Sequence, residues 1–397
     1  MSSTKSPGRM NVGIVFPTVP PIIDGGGDYV ANLATALVGE GLSVHVFAYA
    51  AEATAAKSMS FPFRTHPLPT PDETCEPKIV ESERHRVQSL GLDLLHVVYP
   101  SSRHFDSYVY PRIVGRLGVP VVATVWGFNL RSRQVPLAAK MAGMTLIRTA
   151  AAVMTHDPTY AAVLRIMRIG RRGAPELVPV GYNLADPTQG YAPGEKRPST
   201  PRAPPRIAYF GGIDPSRGIE DLFEAFRRVL RSSPTTRLVM IGASPEVYAS
   251  GPCDYYSGIR RRAEVLGIAP SVDWTPRLDR AELESTLTTV ACVVLPFRSN
   301  SFGRSSLAAA LTLGCPTVVA TPRGFMGYLR HLENCWIVPR HSPRAIAEAI
   351  HTIIESPGLA ARIGRGAQHC ASQFSWPSIA RQTAEIYSRT LSAVQGG

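Results

Sequence analysis

Short β-branched and apolar runs alternate with helix-length segments in two series along this chain, and a proline cluster separates the series. The first series has apolar runs at 11–16, 43–49, 93–98, 119–125, 151–155 and 177–180, with a helix expected over 27–40. The second has runs at 206–211, 236–242, 271–274, 290–295, 316–320 and 335–338, with helices expected over 218–232, 255–267, 279–287 and 303–313. Strands that alternate with helices pair in parallel through right-handed crossovers, and the helices cover both faces of the sheet. The pattern therefore predicts an α/β fold of two tandem Rossmann-like, doubly wound domains, with a cleft between their carboxyl strand edges. Pro187, Pro193, Pro198, Pro201, Pro204 and Pro205, with Gly190 and Gly194, are too dense for a regular element. Domains are expected at 10–185 and 206–375, a linker at 186–205, and a separate C-terminal helix at 376–394.

A chain of 397 residues can build two cores of ordinary size. No apolar run approaches the roughly 20 residues of a membrane span. Met1 to Arg9 has no apolar stretch of the kind a secretory signal carries. The six cysteines, Cys75, Cys253, Cys292, Cys315, Cys335 and Cys370, show no metal-ligand spacing, so reduced thiols in the cytoplasm are expected and no metal site is. The net charge is +12. Its densest region, Arg131, Arg133, Lys140, Arg148, Arg165, Arg168, Arg171 and Arg172, reads either as solvated surface or as a patch for anionic membrane or a phosphorylated acceptor. No nucleic-acid module is visible, so nucleic acid is not an expected partner.

Chemistry concentrates where strands give way to glycines. Gly25-Gly26-Gly27 lies in the loop that opens the first helix, where missing side chains let backbone approach a ligand. A flexible turn is the plain alternative. Ile207 to Phe210 runs into Gly211-Gly212 and then Arg217, and Gly242 follows the next strand. A cation at a helix start is electrostatically poor unless an anion sits nearby, so Arg217 points to a bound phosphate. Asn300, Gly303, Arg304, Ser305 and Ser306 form a second such turn. The serines there either hold phosphate oxygens, cap the helix, or do both. Two sites about a hundred residues apart suit a diphosphate. On the first domain, Tyr99, His104, Trp126, Asn129, His156 and Asp157 are candidate acceptor contacts. Trp126 reads equally as a stacking face and as core, and a lone histidine such as His156 is more often structural.

Taken in order, Gly25 to Gly27, Gly211-Gly212 to Arg217-Gly218, Trp274, Leu313-Gly314-Cys315-Pro316-Thr317-Val318-Val319-Ala320-Thr321, and the helix from Phe374-Ser375-Trp376 to Tyr387 resemble bacterial glycosyltransferases. Within these, the chain resembles the retaining two-domain GT-B group called family four. The resemblance implies that the second domain holds a nucleoside-diphosphate sugar, the first domain holds an acceptor, and the closing helix returns to the first domain. It also implies transfer with retention and no metal. Arg217 would replace the family's lysine on the diphosphate, backbone near Arg277 and Leu278 would face the base, and Gly26 and Trp126 would lie by the reacting centre.

The chain departs from the family at three places. Gly212 stands where an arginine is usual, the two usual glutamates fall at Asn300 or Ser301 and at Ala308 or Ala309, and Trp126 replaces a histidine. Gly303-Arg-Ser-Ser-Leu-Ala-Ala-Ala-Leu311 is similar to a side branch in which the glutamate motif has decayed. The reading is a glycosyltransferase acting on a natural-product or glycan-precursor hydroxyl. Its rival is an inactive relative that binds a partner enzyme. An epimerase would need acid and base carboxylates that the sequence does not offer.

Overall fold

The structure is a computed structural model that describes residues 9–22, 25–69, 76–99, 109–126, 137–166, 173–181, 204–242, 253–275, 278–298, 305–320 and 328–395. These residues fall into two compact units, within Met1–Asn183 plus Trp376–Gly397 and within Leu184–Ser375. Of the linker expected at 186–205, all but Pro204 and Pro205 lies outside the described residues.

Unit 1 runs β1 (Asn11–Val15), α1 (Gly25–Gly39), β2 (Ser43–Ala48), α2 (Ala50–Ala56), β3 (Arg64–Pro67), α3 (Glu76–Ser89), β4 (Leu94–Tyr99), α4 (Val109–Ile113), β5 (Val121–Val125), α5 (Leu137–Thr149), β6 (Ala152–Thr155), α6 (Pro158–Ile166) and β7 (Glu176–Leu177). Its sheet order is β3-β2-β1-β4-β5-β6-β7, and every pairing is parallel. One buried cluster, including Ile14, Val30, Leu33 and Leu37, lies on the α1 side, and another, including Leu95, Ile113, Leu146 and Leu164, lies beneath α3 to α6. β4 and β5 are buried along their whole length, as expected for strands covered on both faces. β3 was not legible, because Arg64-Thr65-His66-Pro67 has no apolar run. It pairs at the sheet edge in the register His45↔Arg64, where His45 and His66 stack.

Unit 2 runs β8 (Arg206–Phe210), α7 (Ile219–Ser232), β9 (Arg237–Ile241), α8 (Cys253–Val265), β10 (Val272–Thr275), α9 (Arg280–Thr289), β11 (Cys292–Leu295), α10 (Ser305–Thr312), β12 (Thr317–Ala320), β13 (Trp336–Val338), α11 (Pro343–Glu355) and α12 (Pro357–Ala371). Its order, β10-β9-β8-β11-β12-β13, is again parallel throughout. α7 forms because Ile219, Leu222, Phe223, Phe226 and Val229 recur at helical spacing on one buried face. Each large side chain there contributes about 1.5–3 kcal/mol through burial. Gly218, at φ 72°, ends the preceding turn and admits the helix.

The last helix, α13 (Trp376–Gln395), belongs to unit 1 although it follows unit 2 in sequence. It packs on α1 through Ile379, Ala380, Ile386 and Tyr387. The Tyr387 hydroxyl meets His96 Nδ1 at 2.7 Å, and His96 Nε2 meets the Thr124 hydroxyl at 2.6 Å. That buried chain joins α13 to β4 and β5. No helix among the described residues is long and apolar enough to cross a membrane.

Candidate functional site

Strand order reverses between β8 and β11, and ligands of open α/β sheets collect beyond the carboxyl ends of strands at such a point. β8 runs into Gly211, at φ 141°, followed by a one-turn 3-10 segment, Pro215–Arg217, and by Gly218. A Cβ on Gly218 would stand 2.0 Å from the Pro296 carbonyl oxygen, so the turn lies flush against the exit of β11. Asp214 builds this turn. Its Oδ1 accepts from the Ser216 amide at 2.9 Å and from the Ser216 hydroxyl, and its Oδ2 accepts from Arg217 Nε at 2.8 Å. Partial burial pushes the Asp214 carboxyl up, but the Ser216 and Arg217 hydrogen bonds outweigh it and hold the group below the usual carboxylate range.

With Nε held by Asp214, the Arg217 guanidinium turns toward Gly211. Above Gly211, at the point a Cβ would occupy, Arg217 Nη1 is 3.7 Å away, the Ser306 hydroxyl 3.8 Å and the Tyr209 hydroxyl 3.6 Å. Arg217 also lies over the Phe297 ring, 6.0 Å from its centroid. Ser306, in the first turn of α10, is 4% exposed, and its hydroxyl has no hydrogen-bond partner among the described residues. A buried hydroxyl left unmatched costs about 1–3 kcal/mol, which a bound oxygen would recover. A guanidinium, a hydroxyl and the free amides of a helix start are a donor set for a phosphate.

Gly242, at φ 86°, brings the exit of β9 beside this point, 3.4 Å from Gly211 oxygen at its would-be Cβ. The Gly212 carbonyl accepts from the Tyr209 hydroxyl at 2.5 Å. One expectation is corrected here. The electrostatic conflict of Arg217 at a helix start is met inside the protein by Asp214, so that conflict alone does not demand a ligand. The orphan Ser306 hydroxyl is the stronger pointer, and the Asp-Pro-Ser cap signature could have revealed the clamp from sequence.

In unit 1, Gly25, Gly26 and Gly27 form the first turn of α1 rather than the loop before it. A Cβ on Gly26 would stand 2.2 Å from Phe16 Cζ and 2.7 Å from Trp126 Cη2, and one on Gly27 3.1 Å from the Thr18 hydroxyl. Gly25 meets nothing within 4 Å. Internal packing thus accounts for two of the three glycines. Tyr29 is the hub of an aromatic cluster, with ring centroids 5.5 Å from Trp126, 5.3 Å from His156 and 5.5 Å from Trp376. Trp126 packs against the core, the second of the readings left open for it. His156 is 4% exposed, and its Nδ1 donates to the Val178 carbonyl at 2.5 Å, leaving Nε2 as the bare nitrogen. Burial holds its pKa down at about 4, so the imidazole is neutral near pH 7. Asp157 caps α6 by accepting from the Tyr160 amide. Tyr99 is a core side chain, 4% exposed.

His104, Asn129, Arg277, Asn300, Gly303 and Arg304 lie outside the described residues, as does the side chain of Ser305. Leu278 is half-buried just before α9, whose N-terminus is a capping box of Asp279 and Glu282. Two further groups beside the phosphate-type site were not singled out from sequence: Asp214, and the Arg298 ion cluster behind it.

A family model for glycosyl transferases group 1 matches residues 195–369, and one for a glycosyl transferase 4-like domain matches residues 24–203. A D-inositol 3-phosphate glycosyltransferase of Streptomyces bingchenggensis is 27% identical over 226 residues, covering 55% of this chain and 49% of that protein. Its counterpart in Streptomyces scabiei is 26% identical over 313 residues, covering 75% and 68%. The alignments with the first two such relatives span only about half of their length. Among solved structures, Anabaena HepE in complex with UDP superposes with a TM-score of 0.71 at 19% identity, over 96% of this chain and all of that one. Sucrose-phosphate synthase from Thermosynechococcus elongatus gives 0.70 at 20% identity, over 97% and 100%. At these identities the structural likeness is one of fold.

Proposed function

Since the chain belongs to the group 1, family-four-like glycosyltransferases and has their two-domain GT-B fold, we propose that it transfers a sugar from a nucleoside-diphosphate sugar to a hydroxyl acceptor, with retention. The observation that carries the reading is the donor set of Arg217 and the orphan Ser306 hydroxyl around Gly211. In this reading the diphosphate lies over Gly211. Arg217 Nη1 and the Ser306 hydroxyl bind its oxygens, and the amides of Gly212 and the α10 start complete the cradle.

The chemistry asks for charge stabilisation on the departing diphosphate and for an oriented acceptor, which fixed donors supply without reorganising. The acceptor proton passes to the leaving phosphate, so no side-chain base is needed, and His156, buried and lowered to about 4, is too weakly basic to serve as one. Arg217 carries the charge, and the reading calls for no metal ion. Activity that survives exhaustive chelation would support this. The named relatives make a polyol phosphate the first acceptor to try.

Calorimetry of the full chain against UDP, GDP, ADP and dTDP tests the donor site. Binding of at least one with micromolar to millimolar affinity is expected, and binding of none would remove the reading. NMR of the product anomeric proton then tests retention.

A cytoplasmic, membrane-peripheral setting belongs to the same proposal. It is supported by the unbridged thiols of Cys335 and Cys370, and by exposed Leu137 and Met141 on α5 and Ile166 on α6, helices whose last turns carry Arg148 and Arg165. Co-sedimentation with anionic but not neutral vesicles would bear it out.

A further inference from the structure

α7 opens with Glu220 and Asp221 in its first turn, three and four residues after Arg217. Carboxylates there stabilise the helix, because they face its positive end. The same two charges oppose any anion bound at the neighbouring turn, and at separations of several Å inside a protein such repulsion is substantial. The fold sets one cation against both. Arg298, three residues past β11, donates Nε to Asp221 Oδ2 and Nη2 to Asp221 Oδ1, each at 3.0 Å. Its Nη1 lies 2.9 Å from Glu220 Oε2, a charge contact out of hydrogen-bond alignment.

The arrangement is tied to the phosphate-type site by backbone as well. The Arg298 amide donates to the Ser216 carbonyl at 2.9 Å, one residue before Arg217, and the Arg298 side chain passes 3.4 Å from the would-be Cβ of Gly218. Tyr255 donates its hydroxyl to Glu220 at 2.8 Å, and His341 Nδ1 lies 3.5 Å from Asp221 at the exposed rim. Neither replaces a guanidinium: the phenol is neutral, and the histidine is 62% exposed.

We infer that Arg298 is a positioning and charge-screening residue of the anion site: it touches no ligand, pins the Asp214–Gly218 turn to the exit of β11, and neutralises the two α7 carboxylates that would otherwise repel a bound diphosphate. The inference rests on the donor-site reading above. It separates charge from shape, because removing the carboxylates should compensate for removing the arginine.

The test is titration of the full chain with UDP and with inorganic pyrophosphate, at low and at physiological salt, for wild type, Arg298→Met and Arg298→Met with Glu220→Gln and Asp221→Asn. Thermal melts establish that each variant is folded. Arg298→Met should bind both probes at least tenfold more weakly, with the deficit shrinking as salt rises, since screening weakens exposed charge interactions. The triple variant should recover to within about threefold of wild type. Wild-type affinity in Arg298→Met, or no recovery in the triple variant, would overturn the charge role while leaving the donor site in place. A wild type that binds neither probe would remove the donor-site reading, and this inference with it.

Discussion

Arg217 and Asp214 form a 2.8 Å ion pair within one turn, and the pair uses only the Nε edge of the guanidinium. The other edge is thereby aimed at Gly211 and Ser306. Arg217→Ala should reduce kcat/KM by about thirtyfold, the equivalent of about 2 kcal/mol for a charge-assisted contact. Arg217→Lys should lose less, because charge survives while the fork does not. Steady-state kinetics with the donor identified by calorimetry checks both, and wild-type turnover by Arg217→Ala would take Arg217 out of the site.

Asp214→Asn separates orientation from charge. If the carboxylate chiefly aims Arg217, the variant should bind UDP several-fold more weakly. Tighter binding would mean that Asp214 competes with the ligand for the arginine. Because its folded-state pKa is depressed, the stabilisation from this pair is present above the ordinary carboxylate value of about 3.9 and is lost as pH falls through the lower folded value. The pair is intact near neutrality.

Gly26→Ala drives a methyl into Phe16 and Trp126. Overpacking of this kind costs about 1–3 kcal/mol. Gly25→Ala meets open space in the same helical turn and should be neutral or stabilising by up to about 1 kcal/mol. Denaturant unfolding of the two variants decides whether packing explains the glycine run. Equal effects would argue against it.

Buried histidines predict acid sensitivity. Burial lowers His96 to about 3 and His156 to about 4. The unfolded chain takes up a proton near pH 6.5 while the folded chain does not, so stability is full above that value and falls as pH drops toward the folded values. The slope is roughly 1.4 kcal/mol per pH unit for each histidine. His45 and His66 are lowered as well, so unfolding midpoints between pH 6.5 and 5, where carboxylates contribute little, should show it, and His96→Gln should remove about a third or less.

Anionic-vesicle binding should depend on apolar contact as well as charge. Leu137→Ser with Met141→Ser should weaken co-sedimentation several-fold and leave UDP affinity unchanged, since α5 lies in the unit that does not carry Arg217. Unchanged co-sedimentation would assign the exposed side chains no role there.

Most of the sheet was legible because buried parallel strands need continuous apolar runs, and Val121 to Val125 or Cys292 to Leu295 can be little else. β3 escaped because an edge strand needs no such run. The glycines at 211, 218 and 242 announced sharp exits from strands, but the reason for Gly26 required the rings of Phe16 and Trp126 above it.

The sequence by itself determined two β/α series, a break between them and a glycine-flanked arginine after β8, because periodicity and turn chemistry act over a few residues. Only the tertiary structure decided that Arg298 meets Asp221 across 77 positions, that Tyr387 meets His96 across 291, and that the Ser306 hydroxyl is left bare beside Gly211. Such meetings follow from strand order and from which faces pack. Both are set by burying all the apolar surface of a unit at once, and no local stretch of residues carries that information.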